Sequence, residues 1–232
     1  MDNSKACPQR AYVMRGAHVH AFGPGATTDV PQPVAYLDRD GVLNVGREGY
    51  VNGPDELVLL PGAGRAVGEL KRSGYLVCVV TNQSPVMRGL WGLDRLVQIH
   101  ASLQDRLLAE DPEAVLDAVI TCPHRRRDMC GCRKPQPGML ALGHRLLRAP
   151  GTSGWHGQRP SLHTVPPETV AWWSPKPRPP HPLDAMVGDR RSDMGAGWAV
   201  GARLFRVSAH LGLSSVVGRV VNPDDEGDPF EP

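Results

Sequence analysis

The segment Val34-Ala-Tyr-Leu-Asp38-Arg-Asp40-Gly41 constrains the fold more than any other stretch, because four apolar residues run unbroken into two carboxylates and a glycine. An apolar run this short, closed by charge and a turn residue, is the signature of a strand covered on both faces, as in a parallel sheet. Acidic residues two apart project to the same side of an extended chain. At a strand's carboxyl end, one of them can bond to phosphorus while the other handles the proton of the leaving oxygen. Alone the pair is a weak signal. Three later segments strengthen it: Val79-Val80-Thr81-Asn82, then Arg133-Lys134-Pro135, then Met186-Val187-Gly188-Asp189 with Asp193 four residues on. In open α/β sheets ligands collect outside the carboxyl ends of the strands, where these four segments are expected to lie.

The chain of 232 residues is 41% apolar, enough for one enzyme-sized core. Its 26 basic and 24 acidic residues leave a net charge of +2, so no strong field draws it to nucleic acid or membrane, and metabolite chemistry fits better. No apolar run approaches the roughly 18 residues of a membrane span, and Met1 to Pro33 lacks the hydrophobic core of a secretory signal, so a cytoplasmic location is expected.

From Val34 onward strand and helix signals alternate. A strand to Leu37 precedes a helix from about Gly62 to Ser73, with Ala66, Val67 and Leu70 on one face and Gly74 ending it. A strand from Tyr75 to Val80, a helix from about Leu93 to Ala109 and an apolar stretch from Val115 to Thr121 follow. Then come a helix from about Gly138 to Arg148, a strand from Ala185 to Gly188, a helix from about Asp193 to Val200 and a strand from Arg203 to Val207. The pattern predicts an α/β fold of Rossmann-like type, a central parallel sheet with helices on both faces, over residues 34–208. Residues 1–33 are expected to be a flexible extension in which His18 and His20 are solvated rather than metal-bound. Residues 209–232 drift to an acidic, solvated tail. Residues 149–182 carry nine prolines with Trp155, Trp172 and Trp173, and read as an inserted surface segment or a lid over the site.

Of five cysteines, Cys122, Cys130 and Cys132 fall within eleven residues, together with His124. Four soft or borderline ligands at this spacing suit a closed tetrahedral Zn²⁺ site, structural because no coordination position stays open. Cys78 reads as a buried inert thiol, and Cys7 lies in the extension. The loop tip Arg125-Arg126-Arg127 reads as a solvated basic turn.

The four segments together resemble the haloacid dehalogenase (HAD) superfamily of phosphatases. Leu37-Asp-Arg-Asp-Gly-Val-Leu-Asn44, Gly49-Tyr50-Val51, Val80-Thr-Asn-Gln-Ser84, Arg88-Gly89, Cys122-Pro-His124, Cys130-Gly-Cys132-Arg-Lys-Pro135 and Pro137-Gly-Met139 resemble its D-glycero-D-manno-heptose 1,7-bisphosphate phosphatase branch, which is similar to the histidinol-phosphatase branch. The match covers about Val34 to Val207 without the insertion. It implies a HAD fold with a minimal cap and a zinc-binding loop, and a monomer. It further implies Asp38 as nucleophile, Asp40 as general acid and base, Thr81 and Asn82 holding phosphoryl oxygens, and Lys134 balancing charge, oriented by Asp193. Mg²⁺ would be held by Asp38, the Asp40 carbonyl and Asp189, and Zn²⁺ by Cys122, His124, Cys130 and Cys132. Arg133, and more weakly Arg88, are expected to bind substrate. Ser84 in place of an Asp-Gly pair favours a sugar phosphate over histidinol phosphate. Pro85 stands where the branch usually has glycine, and the short spacer from His124 to Cys130 departs from its longer loop. A zinc-containing module gripping RNA or protein is the non-enzymatic alternative, against which stands the lack of stacking aromatics from Cys122 to Arg148. A degenerate phosphatase is opposed by the chemical competence of every catalytic position.

Overall fold

The structure, a computed structural model, describes residues 16–23, 25–26, 31–148 and 161–232. Seven strands, β1 (Gly16–Ala21), β2 (Val34–Leu37), β3 (Leu76–Asn82), β4 (Ala118–Cys122), β5 (Ser161–Thr164), β6 (Ala185–Gly188) and β7 (Arg203–Arg206), form one sheet in the order β5-β1-β4-β3-β2-β6-β7. β2 pairs in parallel with β3 on one side and β6 on the other, and β4 and β7 extend the parallel core. The chain therefore reverses its direction of travel across the sheet at β2, which is where an α/β sheet opens a crevice.

Strict alternation along these strands sorts the core into two layers. Ala35, Leu37, Val77, Val79, Val119, Ala185 and Val187 face one side, and Val34, Tyr36, Leu76, Cys78, Val80, Ile120 and Met186 the other. The first layer is covered by α1 (Ala63–Arg72) and by α3 (Leu93–Glu110), which follows the single turn α2 (Pro85–Arg88). The second is covered by α4 (Gly138–Arg148) and α5 (Arg191–Ala199), while the short α6 (Val217–Val221) closes the first. Leu70, Leu103 and Leu107 are fully buried, each contributing about 1.5–3 kcal/mol. Helix α1 starts after Gly62 and gives way to Gly74, both at positive φ, and Lys71 near its negative end reaches the buried Asp117 at 2.7 Å.

The expected central parallel sheet is present as β4-β3-β2-β6-β7, and β1 and β5 add an antiparallel edge to it. Four expectations need correction. Residues 16–21, expected in a flexible extension, are the strand β1, whose Ala17 and Val19 are buried. The edge of β4 supplies the pairing that short, small residues cannot signal locally. His18 is likewise buried rather than solvated, and desolvation pushes its imidazole down to about 4. Within the expected insertion, residues 161–164 are β5 and Trp172 stacks on Trp198 of α5. In the expected C-terminal tail, α6 packs into the core and Asp225 and Asp228 pair with Arg219. Cys7, Trp155 and residues 1–15 and 149–160 lie outside the described residues. No helix among the described residues is long and apolar enough to cross a membrane.

Candidate active site

Asp38 leaves the end of β2 with its backbone amide bonded to Val187 O at 3.0 Å, so it stands directly beside the end of β6. Asp189 follows β6, and Asp193 sits in the first turn of α5. Oxygens of Asp38, Asp189 and Asp193 lie within 4.8 Å of one another. Lys134, 4% exposed, donates to Asp38 Oδ1 at 2.8 Å and to Asp193 Oδ1 at 2.7 Å. The other oxygen of Asp193 accepts the Arg190 amide at 2.9 Å, which caps α5 and fixes the carboxylate. Two glycines make this convergence possible. A Cβ on Gly188 would overlap the side chain of Asp193, and Gly41, at φ +83°, turns the chain where a Cβ would lie 2.9 Å from Asp189 Oδ2.

Burial pushes the Asp38 carboxyl up to about 7, opposed by Lys134 and reinforced by Asp193 and Asp40. Burial and Asp193 also raise Asp189, whose Oδ1 is buried with no hydrogen-bond partner. Three converging carboxylates with a single lysine among them, and an orphaned oxygen, fit a hard divalent cation. Asp40 is treated oppositely. Burial would raise it, but Arg39 with Asn44 and Gln83 holds it below the usual carboxylate range. The Arg39 guanidinium grips it through Nη2 at 2.9 Å, and Asn44 Nδ2 and Gln83 Nε2 each donate to it at 2.9 Å. The same Gln83 Nε2 donates to Thr81 Oγ1 at 2.9 Å, linking the end of β3 to Asp40.

Asn82 lies beside Cys122 in the β3–β4 register, and its side chain joins the backbone of Lys134 in both directions, at 3.1 and 3.3 Å. The loop carrying Lys134 is thus tied to the sheet. Its base is the Cys/His group: Cys122 Sγ lies 3.4 Å from His124 Nδ1 and 3.6 Å from Cys130 Sγ, with Cys132 Sγ 3.6 Å from Cys130 Sγ and 3.2 Å from His124 Nδ1. Tetrahedral zinc with Zn–S near 2.3 Å separates its sulfurs by about 3.7 Å, so the four donors fit that ion.

No family model matches the chain. It is 40% identical over 104 residues to the D-glycero-beta-D-manno-heptose-1,7-bisphosphate 7-phosphatase of Pseudomonas aeruginosa, covering 45% of this chain and 57% of that protein. With the enzyme of the same name from Bordetella bronchiseptica it shares 44% over 103 residues, 44% of this chain and 56% of that one. The D-glycero-D-manno-heptose-1,7-bisphosphate 7-phosphatase of Thermosynechococcus vestitus is 40% identical over 121 residues, 48% and 61% of the two chains. The chain spans little more than half the length of these curated relatives. Over a wider span, the crystal structure of the D,D-heptose 1,7-bisphosphate phosphatase from B. bronchiseptica, complexed with magnesium and phosphate, superposes with a TM-score of 0.57 at 28% identity, covering 80% of this chain and 84% of that one. The chain is similar to the heptose bisphosphate phosphatases. A HAD-like protein from Mesorhizobium loti shares the fold alone, with a TM-score of 0.63 at 24% identity over 93% and 96% of the chains.

Asp38, Asp40, Thr81, Asn82, Arg88, Arg133, Lys134 and Asp193 line one cavity of roughly 1000 Å³. Arg133 does so while its Nη1 donates to His124 O at 2.8 Å, which fixes it to the Cys/His loop. Arg88 stands over the Tyr50 ring at 5.9 Å. The basic tip divides: Arg125 is locked to Asp128 at 3.1 Å, Arg126 reaches the cavity and Arg127 is exposed. Sequence reasoning overlooked Arg39, Asn44 and Gln83 as partners of Asp40. All three stand inside the motif segments, and their fixed spacing from Asp40 and Thr81 was the available signal.

Proposed function

We propose that the protein is a Mg²⁺-dependent phosphoric monoester hydrolase that removes the C7 phosphate of D-glycero-D-manno-heptose 1,7-bisphosphate through an aspartyl phosphate, in nucleotide-activated heptose biosynthesis. The observation that carries this is the convergence of Asp38, Asp189, Asp193 and Lys134 at the point where the sheet reverses its order. The names of the similar proteins support the sugar phosphate.

Asp38 attacks phosphorus in line with the ester oxygen, forming the Asp38 O–P bond as the P–O bond to the sugar breaks. The negative phosphate brought beside Asp40 favours its protonation, and Asp40 gives that proton to the departing alkoxide and then takes one from the water that hydrolyses the aspartyl phosphate. Arg39, Asn44 and Gln83 aim Asp40 and favour its carboxylate form, which is the form the second half of the cycle uses. Lys134 neutralises Asp38 and the phosphoryl group brought against it, and Asp193 keeps the ammonium in place. Thr81 and the Asn82 amide hold phosphoryl oxygens, and Arg133 and Arg88 contact the rest of the substrate. Asp38, Asp189 and the Asp40 carbonyl would hold Mg²⁺, which would supply charge neutralisation at the phosphoryl oxygens. Cys122, His124, Cys130 and Cys132 would hold Zn²⁺, which would shape the loop that carries Arg133 and Lys134. The protein works as a cytoplasmic monomer.

Phosphate release from heptose 1,7-bisphosphate, histidinol phosphate and simple sugar phosphates tests this assignment. The heptose bisphosphate is expected to give the highest kcat/KM, and chelation by EDTA to abolish turnover until Mg²⁺ is restored. Preference for histidinol phosphate would overturn the substrate, and EDTA-resistant turnover the metal.

A further inference from the structure

One side of the active-site cavity is built by two segments from outside the parallel core. The chain after β5 is anchored by the buried Val165 and by Pro166, whose backbone passes so close to Gly131 that any Cβ there would overlap it. It then carries Trp172 onto α5, where the indole stacks on Trp198 with ring centroids 5.6 Å apart and planes 28° apart. The chain after α6 is strapped along β7: Asp228 N donates to Leu204 O at 2.6 Å, and Asp228 accepts from the Arg206 amide at 2.7 Å and from Arg219 at 2.9 Å. Arg191 donates to Glu231 O at 2.7 Å and lies 4.9 Å above the ring of Phe230.

The two segments meet over Gly195. From a Cβ built there, Pro135 Cβ would be 3.0 Å, Trp172 Cη2 3.7 Å and Phe230 Cζ 3.8 Å away. Gly195 is two residues past Asp193 and Pro135 one past Lys134, and both rings line the cavity that Lys134 and Asp193 also line. The remaining lining is rich in arginine, through Arg88, Arg126, Arg133, Arg190 and Arg191, with Glu168 among them. A phosphoryl group on Asp38 places its leaving group in a space that offers both aromatic rings and guanidinium groups.

We propose that Trp172 and Phe230 form a fixed aromatic wall that selects phosphomonoesters whose leaving group carries an apolar ring face, such as the C–H face of a pyranose. A flat face of that kind removes apolar area from water on both partners, and an acyclic leaving group offers much less. The Trp198 stack and the strap hold the rings in place before substrate arrives, so little side-chain entropy is lost on binding. This specificity rests on the phosphatase assignment and adds to it a reason for ring-bearing substrates.

The test compares kcat/KM for heptose 1,7-bisphosphate and fructose 1,6-bisphosphate with that for glycerol 3-phosphate, in the wild type and in W172A, W172F and F230A. The alanine variants are expected to lower the preference for ring-bearing over acyclic substrate about tenfold, chiefly through KM, with W172F close to the wild type. Equal losses on all substrates would mark the rings as structural and overturn the wall, as would an unmoved preference. If the wild type releases phosphate from none of the esters, the phosphatase assignment fails, and calorimetric binding of the same esters to wild type and W172A decides the wall. Weaker binding of the ring-bearing esters alone supports it, and unchanged binding rejects it.

Discussion

At the residue scale, two carboxylates separated by one arginine are driven to opposite states. Asp38 loses solvent and faces other carboxylates, so its charge needs Lys134 and a cation, whereas Asp40 gathers three donors. Asp38→Asn removes the proposed nucleophile while keeping the shape, and phosphate release is expected to fall at least about a thousandfold with an unchanged circular dichroism spectrum; substantial retained activity would reject the nucleophile. Arg39→Met tests the neighbouring pair. The Arg39 side chain is fully buried and that of Asp40 is 24% exposed, so the stranded carboxylate keeps some solvent. Urea unfolding is expected to show a loss on the order of 2–3 kcal/mol, and a stability equal to the wild type would mean that the ion pair contributes nothing net. The carboxylates were legible in the sequence because an acid at a strand end is unusual. Arg39 was not, since an arginine between two aspartates looks solvent-exposed until the fold closes over it.

At the scale of elements, the segment from the end of β4 to the start of α4 carries the Cys/His group and Lys134 on one short loop, tied to β3 through Asn82. A metal bound there would be coupled to the position of the ammonium 96 residues from Asp38 in sequence. The wild type is expected to purify with roughly one zinc per chain, and Cys132→Ser with less, melting several degrees lower and losing most phosphate release. Full zinc content by elemental analysis, or an unchanged melting temperature, would refute the structural role. Spacing alone pointed to this group. The strands β1 and β5 were hidden for the converse reason: each is short and poor in large apolar residues, and each is stabilised by a sheet edge distant in sequence.

At the scale of the whole molecule, residues 220–225 are bound to the sheet through one buried cation. Arg203 of β7 donates to Tyr75 Oη at 2.8 Å and to the carbonyls of Leu183, Val220, Asn222 and Asp225 at 3.1, 2.7, 2.9 and 2.8 Å. Arg203→Met leaves the Leu183 and Asp225 carbonyls without their donor, while Val220 O keeps Tyr75 Oη and Asn222 O keeps the Asp225 amide, so about 2–4 kcal/mol of stability and roughly 5–10 °C in melting temperature are expected to be lost. A thermal scan indistinguishable from the wild type would show that the strap holds without it.

The sequence by itself determined the α/β class, the order of the central elements, the rim residues and the clustering of Cys122, His124, Cys130 and Cys132 on one loop, because period, strand-end charge and residue spacing are local properties of the chain. Tertiary structure decided the antiparallel edge, the burial of Arg39 and His18, and the meeting of Trp172 and Phe230 over Gly195. Those features depend on partners far apart in the polypeptide. Their stabilisation comes from area and hydrogen bonds that exist only once the sheet has assembled, and no local pattern of residues records it.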